Sequence, residues 1–532
     1  MLVPDGALAR AAAALGLEPD ALSPCGRDAA KLELVAPDAP PRGRLVLVSA
    51  ITPTAAGEGK TTTAIGLSDG LRRIGHVACA ALRQPSQAPV FGQKGGGTGG
   101  GLARLVPAER IDLHFTGDLH AIAAAHNLLA AMIDNGLHFG ALDVEPDAVR
   151  WPRVLDVGDR ALRAITTGQA PGGGPPRQTG FVLTAASEVM ACLCLARDAD
   201  DLRARLGRMI VAVDRGGAPV TAADVGAVGA MMALLGEALH PNLVTTREGT
   251  PALVHGGPFA NIAHGCSSVL ATRLALAHAE WVVTEAGFGF DLGGEKFFDL
   301  VAPAGGFEAA AVVLVATVRA LRAHGGDAAD PLAAGLDNLD HHVAAVQRFD
   351  RPAVIAVNRR ADDDPDAIAQ VVRWADSRGV ACAVADPYGA GGDGCLELAR
   401  AVVAAARLGP ARPPYAATDP AEAKLTALAT ALYGAAEVRW TERAKADLAE
   451  IARHGGATLP PCVAKTPTSL TDDPKRAGRP RDHVLTVTGA HLSAGAGFWV
   501  ALCGAITRMP GLPRRPRALG LDLVDGISTG LD

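Results

Sequence analysis

Between Thr52 and Thr63 the chain reads Thr-Pro-Thr-Ala-Ala-Gly-Glu-Gly-Lys-Thr-Thr-Thr. The window Thr54-Ala55-Ala56-Gly57-Glu58-Gly59-Lys60-Thr61 matches a phosphate-binding loop, with Thr54 in place of the first glycine. Glycines let backbone N–H groups turn inward around phosphate oxygens at a helix N-terminus. Lys60 is then placed to reach the β- and γ-phosphates of a nucleotide, and the Thr61 hydroxyl to sit on Mg2+. The bland alternative is a glycine-rich turn whose lysine is solvated. An apolar strand before the loop and a helical stretch after it favour the phosphate reading. So does lysine scarcity, eight against 42 arginines, because a lysine inside a motif is then less readily a coincidence.

Ligands of open α/β sheets bind beyond the carboxyl ends of the strands, so residues that close other apolar runs are the next candidates. Arg83 follows the run His76–Leu82 and reads either as a site residue or as a surface arginine in a solvated salt bridge. Glu285 closes Glu280–Thr284 before a glycine. That resembles the Walker B acid, which holds Mg2+; a capping or salt-bridged carboxylate is the alternative. Asn358 ends Val354–Val357, where an amide reads a base in many such folds. Seven of the ten residues Gly92–Gly101 are glycine, with Lys94 among them. Such a loop suits close backbone approach to an anion or flat ring; a mobile surface loop is the alternative. Thr116 or Asp118 suits the N-cap of a helix over Ala121–Asn135, and Asp118 reads as a cap or as a ligand-binding carboxylate. His126 within that helix reads as packed. His255 and Asn261 sit among small residues in a polar loop, the composition of a site wall, and Cys192 and Cys194 read as structural.

The elements that must position these groups alternate. Apolar, β-branched runs at Arg44–Ala50, His76–Leu82, Met209–Val213, Glu280–Thr284, Ala311–Ala316, Ala353–Val357 and Val380–Ala385 are separated by helical stretches. This predicts an α/β fold with a parallel sheet covered on both faces. At 532 residues there is room for about three domains. Breaks are expected at 169–176, 362–366 and 409–420, the last as a true linker. Hydrophobic residues at 49%, charged residues at 20% and a net charge of −6 describe a globular chain without a basic field for nucleic acid. No apolar run approaches a membrane span, and Met1–Gly6 does not read as an export signal. Nine cysteines without CxxC spacing point to reduced thiols in the cytoplasm.

Taken together, the segments Thr52–Thr63, Leu82–Gly101, His114–Asn135, Thr179–Leu195, Val254–Thr272, Val283–Asp299, Val312–Gly326, Pro460–Pro474 and Ser493–Pro513 resemble the formate–tetrahydrofolate ligase family. The resemblance implies a P-loop NTPase-like parallel sheet core (1–340) with two smaller α/β domains, 341–415 contributing to a folate site and 416–532 at the C-terminus. It implies ATP-dependent formylation of tetrahydrofolate through formyl phosphate in one-carbon metabolism, with Mg-ATP, a monovalent cation and a homotetramer. By this resemblance Lys60, Arg83 and His255 are catalytic. Residues Thr54 to Thr61 bind ATP, Thr61 and Glu285 hold Mg2+, and Gln84, Asp118, Arg360 and Tyr388 bind folate. Gln84 stands where many members carry Glu, and Arg360 and Tyr388 where the family presents Phe and Trp to the pterin. Arginine stacks on aromatic planes and tyrosine keeps a face, so a sandwich survives. Val182 and Phe290 are further departures that reshape a pocket wall. Two other readings compete: an acyl-phosphate ligase with another amine acceptor, and a P-loop switch ATPase. The second is disfavoured by chain length and by Ala55-Ala56, where such proteins carry a signature lysine.

Overall fold

The computed structural model describes residues 6–33, 42–93 and 96–531; Lys94 and the first five residues lie outside them. Ten strands form the backbone of the main sheet: β1 (Leu22–Pro24), β2 (Ala30–Leu32), β3 (Arg44–Ala50), β4 (Ala78–Leu82), β5 (Asn242–Thr246), β6 (Pro251–Val254), β7 (Trp281–Glu285), β8 (Ala309–Ala316), β9 (Ala353–Asn358) and β10 (Ala381–Ala385). Their order is β1-β2-β5-β6-β4-β7-β3-β8-β9-β10. From β6 to β10 every neighbouring pair is parallel. A hairpin, Gly99–Gly100 with Ala103–Val106, adds to the edge of β5.

The apolar runs are continuous because both faces are covered. Leu45 and Leu47 of β3 enter one core while Val46 and Val48 enter the other, and Val282 and Val283 of β7 divide in the same way. Successive strand side chains point to opposite faces, so an alternating polar pattern is ruled out when helices cover both. Truncating one such residue, as in Leu47→Ala, is expected to cost about 2–5 kcal/mol.

Three expectations are corrected. The run at Met209–Val213 forms a strand, Ile210–Val213, but pairs antiparallel with Pro219–Thr221 in a separate two-stranded sheet. The intervening turn at Asp214–Gly217 folds it back on the next segment, where it cannot join the parallel array. Strands β5 and β6 are an antiparallel pair that the alternation of strands and helices did not anticipate. The segment 341–415 is not a separate sheet: β9 and β10 extend the main one, hydrogen-bonded in series to β8. The boundary at 340 falls inside a helix, Pro331–Arg348, and the acidic turn at 362–366 leads into the crossover helix between β9 and β10. Past the irregular stretch 406–420, four strands at 435–440, 461–464, 483–493 and 498–503 build a second, mixed sheet around buried Trp499.

Candidate active site

Helix α1 (Lys60–Arg73) begins directly after the loop that leaves β3. Its N-cap, Gly59, has φ 78° and abuts the Asn358 amide, and Gly57 has φ 73°. Both lie in the left-handed region, where glycine is at no steric disadvantage. The first N–H groups of α1 have no partner within the helix and so suit an anion. Three side chains fasten the loop's start: Thr52 Oγ1 meets His342 Nε2 at 3.0 Å and accepts from Asn338 Nδ2 at 3.1 Å, while His324 Nε2 donates to Thr52 O at 2.7 Å.

Not every residue of the loop faces a ligand in the same way. Glu58 is buried and turns its carboxylate inward. It accepts from Thr54 N at 2.8 Å, Thr54 Oγ1 at 2.9 Å and Thr317 Oγ1 at 2.6 Å. Thr54, in the place of the missing glycine, is thereby tied to Glu58. Asn358 donates to Glu58 O at 2.8 Å, so its amide braces the loop instead of pointing at a base.

Beyond the strand ends lies a cavity of about 930 Å3 lined by Ala55–Thr62, Arg83, Gln84, Asn261 and Glu285. Glu285 is its organising carboxylate. It accepts from Thr61 Oγ1 at 2.7 Å through one oxygen and from Arg83 at 3.2 Å through the other. Three buried polar atoms on the same cavity, Arg83 Nε, Gln84 Oε1 and Asn261 Oδ1, have no partner among the described residues. Buried polar atoms are nearly always paired, so three orphans among the cavity's lining residues suit a polar occupant. A larger groove of about 1410 Å3 contains none of these residues, and two of its three arginines, Arg479 and Arg481, are engaged by Asp337 and Asp340.

Five of the expected site residues do not line this cavity: Thr54, tied to Glu58, and His255, Asp118, Arg360 and Tyr388. His255 is buried, with Nε2 donating to Ala238 O and Nδ1 accepting from Ser268 Oγ, each at 2.7 Å. Desolvation pushes its pKa down to about 4. With both nitrogens occupied it is a brace for the loop behind Gln84, whose backbone N–H donates to Gly256 O at 2.6 Å. Asp118 is the first residue of helix Asp118–His138, after an N-cap supplied by Gly117 at φ 96°. Its carboxylate is buried against Lys31 Nζ at 2.5 Å and Asn242 Nδ2 at 2.7 Å, so it neither caps the helix nor meets the cavity. Arg360 and Tyr388 follow β9 and β10 at the same carboxyl edge as the loop. Tyr388 is 65% exposed, its ring lies by Gly100, and its carbonyl accepts from Leu102 N.

The second glycine run contributes Gly92, Gln93, Gly96, Gly97 and Gly99 to the cavity wall. Its other side is clamped by Asp112, which accepts from Gly97 N at 2.8 Å and Thr98 Oγ1 at 3.0 Å. His126 is packed as expected: it stacks on Trp151 at 4.2 Å, contacts Ser187 and Pro152, and burial lowers its pKa to about 3.

Sequence reasoning missed the C-terminal contribution. Thr466, Asp472, Ala505–Arg508 and Pro510–Pro513 reach the cavity from the second sheet. Two buried lysines hold them there. Lys465 pairs with Asp291 at 2.6 Å, and Lys296 donates to Ala260 O and Val463 O. Lysine scarcity was the available signal, since four of the eight are buried.

A family model described as formate–tetrahydrofolate ligase matches residues 6–532. The chain belongs to the formate–tetrahydrofolate ligase family. Similar proteins carrying that name come from Myxococcus xanthus (51% identical, covering 98% of both chains) and a Methylobacterium species (50%, 96% of this chain and 94% of the relative). A third is from a Nocardioides species (51%, 91% of this chain and 89% of the relative). Within this member of the family neither Val182 nor Phe290 lines the cavity; Phe290 is buried beside Phe298 and Phe349. The ligase-family chain contains no helix long and apolar enough to cross a membrane among its described residues.

Proposed function

We propose that this chain joins formate to tetrahydrofolate with ATP, giving 10-formyltetrahydrofolate, ADP and phosphate, on a P-loop NTPase-like core. The observation that carries the reading is one carboxylate, Glu285, holding both Thr61 of the phosphate loop and Arg83 at the cavity wall. It ties a phosphate-binding element to an oxyanion-binding one.

Formate is a poor electrophile because its charge is spread over two oxygens. In the first step a formate oxygen attacks the γ-phosphorus and ADP leaves, forming the mixed anhydride formyl phosphate. Lys60 and the first amides of α1 stabilise the transferring phosphoryl group by position and charge. Arg83, with its planar fork of donors, suits the carboxylate and then the acyl phosphate. In the second step the folate amine attacks the formyl carbon, phosphate leaves, and the amine proton is lost. Holding amine and anhydride together supplies much of the rate, and walls around the cavity protect the anhydride from water.

The donor set of Thr61 hydroxyl and Glu285 carboxylate fits Mg2+, which takes one or two protein oxygens and completes its shell with phosphate and water. When bound it neutralises charge on the phosphates. Among the described residues there is no cluster of three or more acidic, His or Cys groups that would hold a metal without a nucleotide. Gln84 keeps hydrogen-bonding capacity where a charge is usual, and Arg360 with Tyr388 is the proposed pterin platform. His255 and Asp118 act in this scheme as positioning residues. A homotetramer, a monovalent-cation response and a cytoplasmic location complete the proposal; the nine cysteines are all unpaired, in keeping with a reducing compartment.

The test is ADP release measured with formate and tetrahydrofolate present together and singly. Turnover that requires both supports the ligase. ADP release indifferent to both identifies a switch ATPase, and release with formate and another amine identifies a different acceptor.

A further inference from the structure

Four cationic side chains line the cavity: Lys60, Arg83, Arg508 and Arg517. Arg83 is engaged by Glu285, Arg517 donates to Gly530 O, and Lys60 also has a partner. Arg508 differs. Its side chain makes no hydrogen bond or ion pair among the described residues, although Glu285 and Asp472 also line the cavity.

The backbone around Arg508 is held firmly. Its carbonyl accepts from Leu183 N at 3.0 Å, and Met509 is buried against Ala88 and Leu183 while its own carbonyl accepts from Arg163 Nε at 2.8 Å. The guanidinium therefore projects from a fixed point. Solvent reaches it, yet surrounding atoms crowd it enough to lower its pKa, and no acidic group opposes that shift. A solvent-facing guanidinium anchored at a cavity wall with no protein acceptor is free to take an anionic ligand.

We propose that Arg508 is a substrate-binding residue of this cavity that recognises an oxyanion group by a paired N–H contact. Two sources share that chemistry: a phosphate of the nucleotide, and a carboxylate on the tail of the folate acceptor. The inference rests on the ligase reading for the identity of these substrates, but not for the existence of the anion site.

The experiment compares wild type, Arg508→Gln and Arg508→Lys in the full chain. Steady-state constants are measured for Mg-ATP, formate, tetrahydrofolate and tetrahydrofolate triglutamate, alongside calorimetric binding of ADP and of tetrahydrofolate. Loss of a charge-assisted contact raises the KM for one substrate about 10–100-fold in Arg508→Gln, with kcat changed less than about threefold. Arg508→Lys recovers part of the loss. Weakening confined to ATP and ADP identifies the phosphate; weakening confined to the folates, larger for the triglutamate, identifies the carboxylate. Unchanged constants for all four substrates overturn the proposal. So does a uniform loss of kcat that lysine does not rescue, because that is the signature of a structural role. If wild type fails to use formate and tetrahydrofolate, the ligase reading fails separately, and the calorimetric arms still decide Arg508.

Discussion

Glu285→Gln is the substitution whose consequence the geometry defines most closely. Glu285 is almost wholly buried and receives two donors, the Thr61 hydroxyl at 2.7 Å and the Arg83 guanidinium at 3.2 Å, on different oxygens. A glutamine has one acceptor oxygen and one NH2 group. With its oxygen turned to Arg83, its NH2 faces Thr61 Oγ1, whose hydroxyl must reverse from donor to acceptor, and the contact to Arg83 loses its ionic partner. One charge-assisted hydrogen bond is lost, about 1.5–3 kcal/mol. At about 1.4 kcal/mol per decade, that predicts a 10- to 150-fold fall in kcat/KM for formate. The assay is formate-dependent ADP release at saturating tetrahydrofolate and Mg-ATP, with far-UV circular dichroism and thermal melts to verify folding. The Mg2+ concentration for half-maximal rate is expected to rise as well, since the remaining oxygen is neutral. A folded variant with kcat/KM within threefold of wild type would refute the idea that Glu285 joins the two halves of the site.

Three further outcomes are expected. Lys60→Ala should lower kcat by about 10²–10³-fold or more, the usual cost of removing one group that stabilises developing charge, with the melting curve little changed; retained turnover would remove the phosphate-loop assignment. Arg360→Phe should lower the apparent KM for tetrahydrofolate by about 2–10-fold, as an aromatic contact of about 0.5–1.5 kcal/mol would give, and an unaltered value counts against a pterin platform there. Glu188, half-buried and accepting from Gly495 N at 2.8 Å, has its pKa raised to about 7 by desolvation. Between about pH 4.5 and 7 the native state therefore holds more protons than the unfolded one, and stability falls as pH rises through that window. Glu188→Gln should be more stable than wild type by about 3 kcal/mol at pH 8, at about 1.4 kcal/mol per pH unit of the shift, and equal to it near pH 4.5. Denaturant titrations at both values check this, and a gap that does not vary with pH would contradict it.

The strands around the site were legible because each is a local run with a simple physical demand. Arg44–Ala50 coincides with β3 residue for residue, and Ala353–Val357 with β9 to within one. The strand at Ile210–Val213 shows the limit of such a reading: its conformation was written in its residues, its neighbour was not. Burial on both faces looks the same whether the partner is the main sheet or a hairpin. The placement of Asp118 failed for a related reason. An acid before a helix satisfies the local rule for a cap, and nothing nearby reveals that Lys31, 87 positions earlier, will claim the carboxylate.

From the residues alone came the glycine-bearing loop between a strand and a helix, the acid and arginine that end nearby strands, and the class of sheet that presents them. All of these depend on short-range backbone preference and on hydropathy, which neighbours in the chain can specify. Tertiary structure decided which polar groups are spent on one another and which are left to face the cavity. It buried His255 between Ser268 and Ala238, returned the segment at 505–513 to the cavity, and left Arg508 without a counter-charge. Those outcomes depend on contacts between residues far apart in the chain, where the cost of an unpaired buried group, and not any local pattern, selects the partner.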